Sequence, residues 1–288
     1  MKTALLMAPV CQMNTLENLF IEMTAKNCNQ RCKYCYIDFP LTKNVKDFIS
    51  SDIVEEALKD TANEPLKCIY LTGAEPMTHP DFNSILRMCL KYSNVCICTN
   101  GSFINEKKTR FLRRVQDESS NEIIFKLSMV HYDENMNDEV RCRGNYRQVL
   151  FSVKYLIKYG FNPIIEVPNY YNENEELIRE NILKIMHSTG YSAEDKNIII
   201  NKCYRRDDAS SLLENIPDKL CATDCSAGRI VTSKGIYSCP FLANDHRGRC
   251  GSTLKDFSKR MMLETEYCNT CLNNKRQVFS INFSNFDD

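Results

Sequence analysis

The sequence has no tryptophan, only four histidines, and no excess charge of either sign: Lys+Arg and Asp+Glu each number 37 in 288 residues. No basic excess points to nucleic acid, and no acidic tail points to disorder. No run approaches the ~18–20 apolar residues of a membrane span. The start, Met1-Lys-Thr-Ala-Leu-Leu-Met-Ala-Pro-Val-Cys11, has a short apolar stretch, but a proline interrupts it. No small-residue cleavage site follows, so an intracellular, cytoplasmic chain is expected. The missing tryptophan, with frequent Lys and Asn, fits a low-GC coding bias.

What is present is a 43% apolar composition and sixteen cysteines. The length suits one large domain or one large and one small, with a sizeable core. Some cysteines bunch at ligand-like spacings. Others (Cys68, Cys89, Cys96, Cys98) scatter through apolar runs. That distribution reads as metal ligands and buried thiols in a reducing compartment rather than as a disulfide framework.

From about residue 17, strand-like runs alternate with amphipathic helices. Strands are expected at 19–24, 68–72, 95–98, 123–128, 163–167 and 197–200. Helices are expected to start near Asp52 (as N-cap), Pro80, Asn105, Tyr146 and Glu175, with Gly160 and Gly190 closing the last two. Six βα units imply α/β architecture with a parallel sheet, short of the eight units of a closed barrel: a partial (β/α)6 barrel. Active sites of such sheets lie at the carboxyl ends of the strands. The expected division is a lead-in at 1–16, the partial barrel at 17–206, a polar linker at 207–219, and a small cysteine-rich domain with its tail at 220–288. A region so small is more plausibly organised by metal than by its own core.

The first cysteine cluster, Cys28-Asn-Gln-Arg-Cys32-Lys-Tyr-Cys35, follows the first strand. Three thiolates hold three corners of a cubic iron–sulfur cluster and leave the fourth iron open. A structural zinc site usually closes with four ligands, and no His or Cys follows Cys35 at short range. The run resembles the signature of the radical S-adenosylmethionine (SAM) superfamily. The resemblance implies a [4Fe-4S] cluster on Cys28, Cys32 and Cys35 that binds SAM at its open iron and cleaves it reductively to a 5′-deoxyadenosyl radical. It places Tyr34 near the adenine. Leu71-Thr72-Gly73-Ala74-Glu75-Pro76, after the second strand, resembles the family's Gly-Gly-Glu-Pro segment, with Ala74 replacing the second glycine. Gly73, Ala74, Glu75 and Pro76 would then hold the SAM amino group, Glu75 as a charge-assisted acceptor. By the same resemblance Asn100 and Ser128 would meet the ribose, Arg141 or Arg143 the carboxylate, and Val167 or Pro168 the adenine. A plain turn at Asn100-Gly101 and solvated arginines are the alternatives.

The C-terminal cysteines Cys225, Cys239, Cys268 and Cys271 resemble the auxiliary-cluster domain of these enzymes, called SPASM with two clusters and twitch with one. Cys225 and Cys239 flank an expected hairpin turning at Lys234-Gly235, and no cysteine follows Cys271. One auxiliary [4Fe-4S] cluster is therefore expected, with a structural zinc site on the same thiolates as the alternative and Cys221 as an alternative to Cys225. Cys203, Cys221 and Cys250 are candidates for donating a hydrogen atom to a substrate radical, although a buried small hydrophobe is the commoner role. His131 is a candidate substrate contact, and Tyr170-Tyr171 reads as packing at a helix start.

The resemblance implies a radical SAM enzyme that abstracts a hydrogen, served by an external electron donor (flavodoxin or ferredoxin). Relatives with such a domain commonly modify ribosomally made peptides by thioether or carbon–carbon crosslinking, epimerisation or residue oxidation; that is the expected function. With the first strand expected so near Met1, no N-terminal peptide-recognition domain is expected, which tempers the peptide reading. A radical dehydrogenase of an amino sugar or other alcohol, and a non-catalytic iron–sulfur or zinc protein, are the competing readings.

Overall fold

Seven strands run parallel and side by side. The computed structural model describes residues 10–37, 46–203, 223–263, 265–274 and 278–282, the side chains at 269, 273 and 274 excepted. The expected linker at 207–219 lies outside these residues. Strands β2 (Asn18–Thr24), β3 (Cys68–Gly73), β4 (Asn94–Thr99), β5 (Ile123–Ser128), β6 (Ile164–Asn169) and β7 (Ile198–Lys202) pair in chain order. Helices α1 (Ser51–Asp60), α2 (Phe82–Cys89), α3 (Glu106–Asp117), α4 (Glu134–Val140), α5 (Asn145–Lys158) and α6 (Glu175–Ser188) lie in the crossovers, giving the parallel α/β sheet of a partial barrel. A short strand, β1 (Val10–Gln12), lies within the expected lead-in.

The strands alternate with period two, and both faces are buried. Leu19, Ile21 and Met23 of β2, Ile69 and Leu71 of β3, and Val95 and Ile97 of β4 share the main core with the helices. Phe20, Cys68, Tyr70 and Cys96 face the other way, into a second cluster with Ile164, Ile230, Tyr237 and Ile281. Burial on both faces is why these strands read as nearly continuous apolar runs. On the helix side, Phe82, Ile85, Leu86 and Cys89 put one buried stripe of α2 against the sheet.

The C-terminal part continues the same sheet. After α7 (Asp224–Ala227), strand β8 (Gly228–Thr232) pairs parallel to β2, and β9 (Gly235–Tyr237) and β10 (Arg249–Gly251) add antiparallel. The nine-stranded order is therefore β10-β9-β8-β2-β3-β4-β5-β6-β7, and the sheet ends at β10 and β7 without closing. Strand β11 (Arg260–Met262) pairs antiparallel with β1, and α8 (Glu266–Asn274) follows. Residues 278–282 return to the inner face: Lys126 Nζ donates to the Phe279 carbonyl at 2.7 Å, and the Tyr70 hydroxyl accepts the Ile281 N–H at 2.8 Å.

Several local expectations shift. Ser50, not Asp52, is the N-cap of α1, and Asp52 sits in the first turn, where its charge still meets the helix dipole. Helix α2 starts at Phe82 after Asp81 rather than at Pro80. Helix α4 has no counterpart among the expected helices: Glu-Asn-Met-Asn-Asp-Glu-Val is too polar to show a stripe, and it is held by the Asp133 cap onto Asn135 and Met136. The β8–β9 turn is Ser233-Lys234, one residue early, because Thr232 pairs with Gly235. Among the described residues, no helix is long and apolar enough to cross a membrane.

Candidate active site

The loop after β2 is folded back by Thr24, whose Oγ1 accepts the Asn27 N–H at 3.0 Å and donates to the Asp47 carbonyl at 2.6 Å. The end of β3 is zipped onto this loop: the Ala74 N–H donates to the Thr24 carbonyl at 2.8 Å and the Glu75 N–H to the Asn27 carbonyl at 3.0 Å. Gly73 is required at that contact. Its φ is +119°, and a Cβ there would lie 2.3 Å from the Thr24 carbonyl oxygen. Strand ends from two βα units are thus locked together at the carboxyl edge of the sheet.

Cys28, Cys32 and Cys35 all open on one cavity, about 1100 Å³ of empty volume continuous with solvent. Thr72, Gly73, Ala74, Glu75, Asn100 and Ser128 line it too, as do Tyr34 and Arg141. The thiols are held by their own loop: Cys28 Sγ accepts the Gln30 N–H at 3.3 Å, and the Cys35 N–H donates to the Cys32 carbonyl at 3.1 Å. Burial pushes the Cys35 thiol up to about 11 and raises Cys28 as well, so metal binding here must release protons.

The Glu75 carboxylate is buried and turned toward the chain itself. Its Oε1 accepts from Thr99 Oγ1 at 2.8 Å and from the Met77 N–H at 3.1 Å, and its Oε2 from the Asn100 N–H at 2.9 Å. It therefore ties the loop after β3 to the loop after β4. Burial raises its pKa, against those hydrogen bonds. Asn100 continues the network, donating to Asn29 Oδ1 at 3.0 Å.

Arg141 lies at the end of α4, only 5% exposed. It donates to the Tyr34 hydroxyl and, at 3.1 Å, to Gln30 Oε1, while its Nε has no partner among the described residues. A buried guanidinium with an unused N–H beside three cysteines suits an anionic ligand. Tyr34 is thereby fixed by its hydroxyl as well as by its place between the cysteines.

The other expected residues divide. Pro76 is buried in the 3-10 turn outside the cavity, and Arg143 is exposed and also outside it. Val167 points into the main core, while Glu166 and Pro168 line the cavity, as alternation along β6 demands. Cys203 lines the cavity, Cys250 packs at β10 away from it, and Cys221 falls outside the described residues. His131 is bound to Glu173 at 2.9 Å and does not reach the cavity, and Tyr171 packs edge-on against Tyr170.

Sequence reasoning missed the cavity's inner wall. The Lys126 ammonium, 2% exposed, pairs with Glu166 at 3.0 Å, and Asn201 donates to the same carboxylate at 3.3 Å. Cys98 lines the cavity beside them. The period-two alternation places these side chains on the inner face, but nothing in the sequence marks that face as open.

The C-terminal cysteines gather elsewhere. Cys225, Cys239, Cys268 and Cys271 line one small apolar cavity with Met261, Leu263 and Leu272. The last two sit three apart on α8, hence on one face. Burial pushes Cys239 up to about 12, and the fully buried Arg229 donates to the Cys225 carbonyl at 2.7 Å. Cys11, which the sequence does not single out, joins the same buried group. Among the described residues, no three His, Cys, Asp or Glu side chains meet the geometry for one metal ion. The donor set of the first cavity nonetheless fits a cluster with an open corner: three thiols share one loop, while the cavity's other two cysteines, Cys98 and Cys203, stand on β4 and just after β7, and Arg141 lines the same space.

Comparison with curated proteins gives no match. The Radical SAM superfamily model matches residues 24–185, more than half of the chain. Among solved structures, native anSMEcpe with bound AdoMet superposes at TM-score 0.62 with 17% identity, covering 83% of this chain and 78% of that one. Native anSMEcpe with bound AdoMet and Kp18Cys peptide gives TM-score 0.60 and 16% identity over 83% and 78%. Streptococcus suis SuiB bound to precursor peptide SuiA gives TM-score 0.60 and 14% identity over 86% of this chain. The match spans 64% of SuiB's length, and identities this low speak to the fold.

Proposed function

The chain belongs to the radical SAM superfamily, and we propose that it generates a radical from SAM at Cys28, Cys32 and Cys35 to modify a ribosomally made peptide. Family membership implies a [4Fe-4S] cluster and SAM. When bound, they supply an electron and a 5′-deoxyadenosyl radical that removes a substrate hydrogen. The observation that carries the reading is the convergence of the three cysteines, the β3 loop and the buried Arg141 on one cavity. In it, the three thiolates hold the cluster, and Arg141 receives the SAM carboxylate. The backbone at Gly73 and Ala74 faces the amino group, and Glu75 holds the two loops in register. Asn100, Ser128 and Pro168 line the nucleoside.

Cys225, Cys239, Cys268 and Cys271 hold a second, fully ligated four-iron cluster suited to taking an electron from a substrate radical or to binding substrate. The peptide reading is supported by the fold shared with anSMEcpe and SuiB, both solved with peptides. Glu166 and the Asn201 amide on the inner wall give such a substrate polar contacts. An external flavodoxin or ferredoxin supplies the electron.

Anaerobic reconstitution tests the chemistry: about eight irons per chain, with 5′-deoxyadenosine released under dithionite, is the expected result. Zinc without SAM cleavage sinks it. Co-expression with a short peptide encoded beside this chain, read by mass spectrometry, tests the substrate. An unchanged peptide together with turnover of an amino sugar or alcohol assigns the enzyme to small molecules instead.

A further inference from the structure

The C-terminal cavity has a fifth thiol behind it. Cys11 comes from β1, more than two hundred residues away in sequence, and is brought there by pairing opposite Met261 of β11. The Met13 N–H donates to the Lys259 carbonyl at 2.8 Å and extends this pairing. Cys11 is 6% exposed and packs with Cys225, Cys268 and Leu263. Thr223 Oγ1 lies 3.0 Å from Cys225 Sγ and 3.8 Å from Cys11 Sγ. Cys225 lines the cavity with the other three thiols, whereas Cys11 does not. Four thiols facing inward satisfy a four-iron cluster, so the fifth is left against the back of one ligand.

We propose that Cys11 and Thr223 donate S–H and O–H hydrogen bonds to the Cys225 thiolate and so raise the reduction potential of the cluster it helps to hold. The inference rests on the second cluster proposed above. Hydrogen bonds to a ligand sulfur stabilise the more negative, reduced state, and this is one of the protein's levers on an iron–sulfur potential. Cys11 is thus a positioning residue, and through it β1 carries a hydrogen-bond donor to a site built by the other end of the chain.

The test uses the full chain with Cys28, Cys32 and Cys35 all changed to Ala, so that only the C-terminal site can load. Anaerobic reconstitution with iron and sulfide is followed by an iron assay and a redox titration read by electron paramagnetic resonance. About four irons are expected in this parent. Cys11→Ala should keep them and move the midpoint to a more negative potential. Cys11→Ser, which still donates, should stay near the parent. Thr223→Val should shift in the same sense as Cys11→Ala, and it leaves β1 intact should Cys11→Ala fail to fold. An unmoved midpoint in Cys11→Ala, or in Thr223→Val where Cys11→Ala does not fold, overturns the proposal. So does loss of iron in Cys11→Ala with retention in Cys225→Ala, which makes Cys11 the ligand. A parent that takes up no iron removes the second cluster itself, and the proposal with it, before any Cys11 variant is compared.

Discussion

The two cysteine sites differ in what surrounds them. The N-terminal three stand on a loop at the carboxyl edge of the sheet, beside a large cavity that Arg141, Lys126 and Glu166 also line. The C-terminal four are enclosed by Met261, Leu263 and Leu272 on a short helix, a hairpin and α8. Three thiols on one loop beside open space leave a place for a substrate-like ligand. A complete set in an apolar enclosure leaves none, and suits storage or passage of an electron. On the proposed assignment, the contrast is between a site that reacts and a site that conducts.

The largest effect should come from breaking each site in turn. Cys32→Ser should reduce 5′-deoxyadenosine release to background while the chain retains about half its iron. Cys268→Ser with Cys271→Ser should also remove about half the iron but leave SAM cleavage intact, abolishing only the modified product. Iron assay and chromatography of 5′-deoxyadenosine read both. SAM cleavage lost equally in the two variants would erase the division of labour.

Much of the first site is legible from sequence because its ligands are local. Cys28 to Cys35 lie in one loop, and Gly73 to Glu75 in another, each placed by the period-two strand before it. The six parallel strands from β2 to β7 are legible for the same reason, since each is a mostly apolar run. What stays hidden depends on distance or parity. Val167 or Pro168 is expected at the cavity, and the sequence does not choose between them: Pro168 and Glu166 face it while Val167 faces the core, because a step of one residue changes the face. Cys11 and Cys225 share no local pattern, and their contact exists only because β1 pairs with β11. Helix α4 carries Arg141 into the site on a segment with no apolar stripe to announce it.

A smaller effect separates the sites without mutation. In the metal-free chain, burial holds Cys35 at about 11 and Cys239 at about 12. Both lie above an ordinary thiol at ~8.5, so at pH 8 the thiolate is scarce and alkylation of Cys35 should run roughly a hundredfold slower than for a free cysteine. Its rate should rise about tenfold per pH unit toward its pKa, with Cys239 lagging by about one unit. Iodoacetamide labelling with peptide mass spectrometry measures this; equal rates at the two positions would mean that the enclosure around the C-terminal four is not real in solution.

The smallest effect asks whether the two regions are separate at all. Phe241 lines both cavities. It stacks on Tyr267, next to Cys268, with centroids 5.2 Å apart, and meets Tyr36, next to Cys35, edge-on at 5.3 Å. One ring is therefore a shared wall, and its packing should couple the sites mechanically. Phe241→Leu keeps an apolar side chain but gives up these ring contacts and a third, edge-on to Phe279 at 4.6 Å, at an expected ~1–2 kcal/mol of stability. The coupling is read from a double-mutant cycle with Tyr267→Leu in urea unfolding. If the stack is a real bond between the regions, the second substitution costs less once the first is present, by roughly 0.5–1.5 kcal/mol. Strict additivity would mean that Phe241 only fills space, and the open and enclosed sites would then be neighbours in the fold without being parts of one packed unit.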